Sequence, residues 1–355
     1  MDLLSIIILC VKVALLYFAV INVVPAMIWI ERKGAALIQD RPGPNRVGPW
    51  GLLQPIADSV KFLFKEDPVP THVNKILFSA APFIMLLPAS LTLAAIPFAD
   101  KAIVFGREIQ IQIADLDVAL IYVLAIGSLG IYGILLGGWA SNNKYSMMGA
   151  LRGSSQMISY EIPLGLAATG AVIIYGTFSL RTMVFAQEGL AWGFLPNWGV
   201  CYQPLGALLF LIASFAETNR LPFDLPETEA ELVAGFHTEY GSMKFAVFFM
   251  AEYMNMVTAS AMMTALFWGG WHIPYITDAT LLSWLGNSVN LLALVQFGVF
   301  FTKIMAFMLI FVWIRWTLPR FRYDQLLRLA WLNLIPLALL NLVFTAVLLY
   351  FKEAA

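Results

Sequence analysis

Five carboxylates crowd the stretch Phe215-Ala-Glu-Thr-Asn-Arg-Leu-Pro-Phe-Asp-Leu-Pro-Glu-Thr-Glu-Ala-Glu231, which lies between strongly hydrophobic segments. A carboxylate near the middle of a bilayer costs about 2.5–3.5 kcal/mol on insertion scales. Acidic residues in such a position are rare unless they serve a purpose, and they are typical of ion or proton paths. The stretch therefore indicates a membrane protein that moves charge.

Composition supports this class. The chain has 355 residues, of which 60% are hydrophobic and only 12% are charged, and its mean hydropathy is +0.79. Its apolar runs reach the roughly 20 residues that a membrane helix needs. We therefore predict an all-α polytopic membrane protein with a single membrane domain over residues 1–355. The net charge of -1 gives no reason to expect a nucleic-acid partner.

Hydropathy predicts about eight membrane-spanning helices and their orientation. The fifth is short, because its apolar core runs only from Pro204 to Ala216. Lys and Arg concentrate in the odd-numbered loops, and the even-numbered loops hold only Lys101, Arg107 and Arg181. By the positive-inside rule, the odd loops face the cytoplasm and both termini lie on the outer side. The predicted helices cover residues 3–30, 76–98, 116–140, 155–176, 203–217, 243–269, 290–314 and 326–350.

The first cytoplasmic loop, predicted over residues 31–75, contains a second kind of helix. A strap rich in proline and glycine, Asp40–Pro49, is followed by a segment in which Ile56, Val60, Leu63 and Phe64 fall on one stripe. This pattern predicts an amphipathic helix that lies in the membrane interface. Such a helix could form the wall of a cavity open to lipid, or it could simply anchor the loop.

A second predicted cytoplasmic loop, residues 218–242, is acidic. Glu227 and Glu231 are four residues apart, so in a helix they would share one face, with Glu229 turned away. Two carboxylates that close cannot both stay ionised without cost, which makes one of them a usable proton acceptor. The alternative is an ordinary solvated loop at the cytoplasmic surface.

Three further charged residues fall inside predicted helices. Glu161 and Glu252 are expected to face the interior of the bundle, because a lipid-facing carboxylate is too costly. Lys303 is the one deep cation, and it is either a residue whose amine reaches up to the interface or the partner of a carboxylate.

Cysteine and histidine give no sign of a metal or redox centre. Cys10 and Cys201 lie far apart, and His72, His237 and His272 lack the spacing of metal ligands. We therefore expect no metal and no cofactor bound by this chain.

Several long motifs closely resemble one family, the H subunit of respiratory complex I, whose mitochondrial counterpart is NADH dehydrogenase subunit 1. The resemblance covers nearly the whole chain. The motifs are Glu31-Arg-Lys33, Gly43-Pro-Asn-Arg-Val-Gly-Pro49, Gly51-Leu-Leu-Gln-Pro-Ile-Ala-Asp58, Ile158-Ser-Tyr-Glu161, Phe215–Glu227, Glu231-Leu-Val-Ala-Gly-Phe-His-Thr-Glu-Tyr240 and Arg322-Tyr-Asp-Gln-Leu326.

The resemblance implies a subunit that helps to form a quinone-access cavity. Ubiquinone or menaquinone would enter between the first helix, the amphipathic helix and the sixth helix, near Arg32, Ala57 and Asp58. The flavin (FMN) and the iron–sulfur clusters would belong to partner subunits. The expected partners are the peripheral-arm subunits of the quinone site, neighbouring small membrane subunits, and membrane lipids.

The resemblance also implies a chain of carboxylates that couples quinone reduction to proton translocation. Arg220 would adjust their charge state. Some relatives carry a glutamate in the third helix where this chain has Ser128, so water or a partner subunit would complete the path there. The implied carboxylates are Glu161, Glu217, Asp224, Glu227, Glu229, Glu231, Glu239 and Glu252.

Two other functions compete with this interpretation. The membrane anchor of an energy-converting hydrogenase would share the acids but use no quinone. A cation/proton antiporter would be expected to have inverted repeats with paired broken helices, which the sequence does not show. We expect the chain to reside in a bacterial cytoplasmic membrane rather than a mitochondrial inner membrane.

Overall fold

The chain is predominantly helical in the computed structural model, which describes residues 3–104, 106–191 and 193–354 and leaves out the side chains of residues 3–5, 229–230 and 352–354. Two antiparallel hairpins, β1 (Ala99–Val104) with β2 (Arg107–Ile111) and β3 (Leu190–Ala191) with β4 (Leu195–Pro196), lie in connections between helices. The helices are α1 Leu3–Ile38, α2 Gln54–Phe64, α3 Lys75–Thr92, α4 Ala119–Ser128, α5 Gly130–Ala140, α6 Lys144–Tyr175, α7 Leu180–Ala186, α8 Gly199–Tyr202, α9 Pro204–Glu217, α10 Glu229–Leu232, α11 Ser242–Phe267, α12 Asp278–Trp284, α13 Val289–Thr317, α14 Tyr323–Arg328 and α15 Ile335–Ala354.

Seven helices within the described ranges are long and apolar enough to cross a membrane. Together with the shorter apolar helix α9, they occupy the positions of the eight predicted helices, so the predicted fold class is confirmed. The seven spans are Ile6–Ile38, Lys75–Ala95, Ala119–Ala140, Lys144–Tyr175, Ser242–Phe267, Val289–Thr317 and Tyr323–Phe351.

Two helices extend well beyond the bounds that the hydropathy pattern predicted. Helix α1 continues to Ile38, because Glu31 does not mark the edge of the membrane but lies buried inside the protein, where it finds partners. Helix α6 begins at Lys144, ahead of the predicted residue 155. The side chain of Asn143 caps it by accepting a hydrogen bond from the backbone N–H of Tyr145 at 2.9 Å.

Helix α9 is short, as predicted. Its 14 residues begin with Pro204 in the first turn and end at Glu217. At 1.5 Å per residue it is about 21 Å long, less than the roughly 30 Å of a hydrocarbon core. The polar connection that follows, residues 218–228, is mostly buried. The alternative of a solvated loop is therefore wrong for this part of the segment.

The helices pack closely where small residues meet. Helix α3 packs against α5 and α11, and α6 packs against α5, α9 and α15. A Cβ atom added to Gly133 of α5 would lie 2.6 Å from the Cβ of Met85 on α3, so only glycine allows this approach. The resulting core holds the polar connection after α9 among α1, α6, α11 and α13.

The predicted amphipathic helix is α2, and its bounds lie within the predicted segment. It packs against α1 and α11. The hydroxyl of Ser242, at the start of α11, donates to the carbonyls of Phe62 and Lys65 at 2.8 and 2.9 Å and so holds the end of α2 in place. The apolar stripe faces away from the protein, since Leu63 and Phe64 are 64% and 87% exposed.

Candidate functional site

A buried polar centre lies where α1, α11 and α13 meet the connection after α9. Glu31 of α1 forms an ion pair with Arg315 of α13, and its Oε2 lies 3.6 Å from Nη1 of Arg220 in the connection. Nη2 of the same arginine lies 3.6 Å from Oε2 of Glu252 on α11. Glu31, Arg220 and Glu252 are each at most 7% exposed. The centre therefore joins four segments of the chain through two acids and two arginines.

Tyr253 completes this polar centre. Its hydroxyl donates a hydrogen bond of 2.7 Å to Oε2 of Glu31, and the guanidinium of Arg220 lies 4.3 Å from the centroid of its ring. Buried charges are tolerated when they are paired and hydrogen-bonded, and an aromatic face gives further stabilisation to a cation. The centre is thus polar but close to charge balance.

Further acids lead from the centre into the connection. Glu227 interacts electrostatically with both Glu252 and Asp224. Its Oε1 also lies 3.7 Å from Nδ1 of His237. Glu252, Glu227 and Asp224 therefore form a run of neighbouring acids from the centre into the connection.

Asp224 lies at the other end of this run of acids. Its Oδ2 accepts a hydrogen bond of 3.0 Å from Arg320. Burial, and then repulsion by Glu227, raise the pKa of Asp224 to about 7, against the attraction of Arg320. A carboxyl with that pKa can take up or release a proton near neutral pH.

A second pair of acids, the α6–α9 pair, consists of two half-buried residues on neighbouring helices. Glu217, at the end of α9, is close enough to Glu161 of α6 for the two carboxylates to repel each other. Glu161 also lies near Ser128 of α4, whose hydroxyl donates to the carbonyl of Ala125 at 2.9 Å. The position at which the resemblance implies a glutamate in some relatives is therefore beside the acid pair.

A small cavity adjoins Glu217. Its volume is about 40 Å³, and its lining includes the polar side chains of Asn255 and Thr258 on α11. A polar cavity needs only about 10–15 Å³ on the same measure to hold a water molecule. The cavity can therefore hold water beside the carboxylate, which is what a proton needs in order to reach or leave it.

The remaining predicted acids lie away from both groups. Glu231 pairs with Arg152 at 2.5 Å, and its side chain is 52% exposed. Glu239 accepts a hydrogen bond of 2.7 Å from Asn143. The side chain of Glu229 lies outside the described part of the chain.

Glu227 and Glu231 would share a helical face only if one helix held both, and the structure does not meet this condition. Helix α10 begins only at Glu229, so Glu227 precedes it. Glu227 instead turns inward, toward Glu252 and toward Nδ1 of His237 at 3.7 Å. Contacts with the buried centre, and not the spacing along the chain, therefore determine where the side chain of Glu227 points.

A cavity of about 410 Å³ lies on the α2 side of the polar centre. Arg32 of α1 bonds Asp58 of α2 at 2.5 Å, and Gln54 donates to the other oxygen of Asp58 at 3.1 Å. Ala57 is exposed on the same helix. Glu31 lines the cavity and also belongs to the buried centre, so it connects the two. The full lining is Glu31, Arg32, Ala35, Arg41, Pro42, Gly43, Pro44, Gln54 and Trp316.

Lys303 does neither of the things that the sequence suggested. It lies near the middle of α13, and its amine donates to the backbone carbonyls of Trp268 at 2.7 Å, Gly270 at 2.9 Å and His272 at 2.7 Å. Gly269 and Gly270 both have positive φ angles, which let the chain turn so that these carbonyls converge. The lysine therefore fixes the turn after α11 and pairs with no carboxylate in the described structure.

Sequence reasoning missed two members of the polar centre, Glu31 and Arg315. Both stand near predicted helix ends, where charged residues normally meet water, and only the longer α1 brings Glu31 inside. Tyr253 was expected to hydrogen-bond to Glu252, but its hydroxyl donates to Glu31 instead, a contact with α1 that depends on the packing.

Comparisons with known proteins agree with the motifs. The model of a family described as NADH dehydrogenase matches residues 11–346. The chain is 47% identical to the H subunit of NADH-quinone oxidoreductase from Bdellovibrio bacteriovorus, over 96% of this chain and 95% of that protein. It is 49% identical to an H subunit from Cytophaga hutchinsonii over 89% of each chain, and 46% identical to one from Geobacter metallireducens over 96% of each. The chain therefore belongs to the NADH dehydrogenase family, among the H subunits of NADH-quinone oxidoreductase.

Proposed function

We propose that this chain forms much of the quinone-access cavity of a proton-translocating NADH-quinone oxidoreductase and couples quinone reduction to proton movement. One observation carries the proposal: Glu31 lines the cavity beside α2 and is also paired with the arginines of the buried centre. The names of the relatives favour this function over that of a hydrogenase anchor or an antiporter.

Quinone enters from the bilayer beside α2 in this proposal. Helix α2 packs against both α1 and α11, and its apolar stripe is exposed. A long isoprenoid tail prefers such an apolar approach, whereas the headgroup needs polar partners. The side chains of Arg32 and Asp58 supply those partners at the edge of the cavity.

Reduction of the quinone then changes the charge of its headgroup, and this charge acts on the buried centre. Partner subunits, which hold the flavin and the iron–sulfur clusters, deliver two electrons, and the quinone takes up two protons to become quinol. A headgroup that gains electrons before protons becomes negative, and this repels Glu31. The change shifts the balance among Glu31, Arg220 and Glu252, since the arginine lies 3.6 Å from each of the two acids.

The acids beyond Arg220 respond to that shift. Asp224, with its pKa of about 7, can take up or release a proton when the centre changes charge, and the neighbouring acids Glu227 and Glu252 can change partners. Glu217, Glu161 and the small cavity beside them continue the route into the bundle. Proton transfer and a conformational switch both use this arrangement.

Glu31→Gln in the assembled complex tests the proposal. The glutamine oxygen can still accept the hydrogen bond of Tyr253, but the negative charge is gone. We expect quinone-linked NADH oxidation and proton pumping in vesicles to fall together, while NADH oxidation with an artificial acceptor stays normal. Glu108→Gln, which changes an exposed acid in β2, serves as the control. Normal quinone reduction and pumping in Glu31→Gln would contradict the proposal.

The location and the partners are part of the same proposal. The chain would reside in a bacterial cytoplasmic membrane with both termini outside, beside small membrane subunits and the peripheral subunits that complete the quinone site. A tag can be placed at each terminus, and a membrane-impermeant protease added to cells with a permeabilised outer membrane. Removal of both tags would support this orientation, and protection of both tags would show the opposite orientation.

A further inference from the structure

Three side chains of the types that bind metals converge at the end of the bundle predicted to face outward. Glu188 follows α7, His272 lies in the turn after α11, and Asp278 begins α12. One ligand atom from each lies within 4.8 Å of those of the other two. The three residues are far apart in sequence, which is why their spacing gave no metal-binding pattern.

His272 is the decisive member of this group. Its side chain is only 2% exposed, and neither ring nitrogen has a hydrogen-bond partner among the described residues. A buried polar group without a partner is costly and calls for a physical reason. Nδ1 faces Oδ1 of Asp278 at a distance of 3.5 Å, beyond the usual 2.7–3.2 Å range of a hydrogen bond.

That separation suits two ligands of one metal ion. With metal–ligand distances of about 2.0–2.1 Å, neighbouring ligand atoms of a tetrahedral zinc ion are about 3.4 Å apart. The nitrogen and the oxygen are therefore already placed as two corners of such a site. Only a small side-chain movement is needed for a carboxylate oxygen of Glu188 to provide the third.

The surroundings hold the three side chains in position. Gln296 of α13 donates to Oδ2 of Asp278 at 2.9 Å, which leaves Oδ1 facing His272. The backbone N–H of Asp278 donates to Oε1 of Glu188 at 3.0 Å, and Lys303 holds the carbonyl of His272 at 2.7 Å. Partners of this kind orient the ligands in known metal sites.

We propose that Glu188, His272 and Asp278 bind a divalent transition-metal ion, with Zn²⁺ as the best fit. One imidazole and two carboxylates form a ligand set that zinc accepts. Both carboxylates are partly exposed, with the Asp278 side chain at 20%, so water can reach the ion and occupy a fourth position. The ion would fasten the end of α7 to the turn between α11 and α12.

Zinc content of the purified, assembled complex tests the site. After dialysis against micromolar Zn²⁺, we expect wild type to hold about one zinc ion more per complex than Glu188→Gln, measured by mass spectrometry. The glutamine oxygen can still accept the hydrogen bond from Asp278, so this variant keeps the local structure while it removes a ligand charge. His272→Gln should lose the same zinc ion.

Two further variants distinguish a built site from binding elsewhere on the surface. Gln296→Ala removes the hydrogen bond to Asp278, and also the one that Gln296 accepts from the backbone N–H of Asp100, but it leaves all three ligands in place. It should weaken zinc affinity by roughly ten- to a hundredfold. Glu108→Gln changes an acid of the same predicted face outside the cluster, and its zinc content should equal that of wild type. Equal zinc content in wild type and Glu188→Gln would overturn the proposal and leave a simple contact between His272 and Asp278. The zinc content of these variants tests this site alone, whereas the pumping rate tests the proposed function.

Discussion

The polar centre and the α6–α9 acid pair handle charge in opposite ways. In the centre, Glu31 and Glu252 each face a guanidinium. In the α6–α9 pair, Glu161 and Glu217 repel each other, and neither forms an ion pair with another described residue. An acid beside an arginine can stay ionised, whereas two neighbouring acids without a cation favour at least one bound proton. The first region therefore balances charge with charge, and the second is suited to holding protons.

The largest test of this contrast removes the cation from the centre. Arg220→Met should leave Glu252 without a cation in a buried site, while Glu31 keeps its pair with Arg315. Loss of one partner of a buried ion pair costs about 3–5 kcal/mol. We expect the complex to assemble poorly on native gels and to unfold at lower denaturant concentration. Arg322→Met, at an arginine whose side chain is 76% exposed, should change neither. Full stability of Arg220→Met would mean that the centre does not depend on charge pairing.

The next test removes a carboxylate from the α6–α9 acid pair. Glu217→Gln should leave the fold intact, because a neutral amide is cheaper to bury than a carboxylate and still hydrogen-bonds to water. Quinone-linked turnover and proton pumping should fall by about 10²-fold, the low end of what a positioned proton-transfer group contributes.

Glu231→Gln offers a matched comparison, because it changes an exposed acid that pairs with Arg152. Its effect on turnover should be far smaller than that of Glu217→Gln. Both activities are measured in vesicles after assembly has been checked. Equal losses of turnover and pumping in the two variants would remove the functional distinction between Glu217 and the exposed Glu231.

Asp224 combines the features of both regions, because it faces Arg320 and is also repelled by Glu227. The pH dependence of its contribution to stability therefore tests the comparison. Its pKa of about 7 in the folded chain lies above the ordinary value of 3.8, so the folded state binds this proton more tightly than the unfolded chain. The contribution to stability is therefore fully present below about pH 4 and is lost as the pH rises to about 7.

Asp224→Asn should remove this pH-dependent loss of stability. We expect the loss to be on the order of 2 kcal/mol in the free energy of unfolding once solvent screening is allowed for. Thermal midpoints at pH 5 and pH 8 measure it, and the difference between the two midpoints should shrink in the variant. An unchanged difference would show that Asp224 does not titrate in this range.

The smallest effect is expected at the edge of the cavity. The Arg32–Asp58 pair is 48% and 28% exposed, and such surface pairs contribute about 0–1 kcal/mol. Asp58→Asn should therefore leave the denaturation midpoint nearly unchanged. If the pair contacts the quinone headgroup, the KM for quinone should rise by less than about fivefold, while kcat stays the same. A fall in kcat without a change in KM would place Asp58 on the coupling route instead.

Most of the fold was predictable, because membrane helices are recognised by their length and hydropathy. The short α9 and the interfacial α2 were also visible, one from a truncated apolar run and the other from the stripe of Ile56, Val60, Leu63 and Phe64. The extension of α1 was not visible, because a charged residue ends a membrane helix unless the fold supplies partners. Those partners come from α11 and α13, far along the chain.

The site was predictable in its residue types but not in its pairing. The acids stood out because each is costly in a membrane, yet nothing local shows that Glu227 turns to Glu252 while Glu231 turns to Arg152. Lys303 is the clearest case. Its carbonyl partners belong to a turn that exists only because Gly269 and Gly270 adopt positive φ angles, and carbonyl groups carry no sequence signal at all.

The amine of Lys303 also fills a cage of carbonyl oxygens. Three carbonyl oxygens at 2.7–2.9 Å, with the ring of Trp198 4.5 Å away, surround it much as the carbonyls of a channel filter surround a dehydrated cation. Because the amine is tethered to α13, the chain itself satisfies these carbonyl oxygens. The protein thus closes an ion-sized nest of carbonyls with its own side chain.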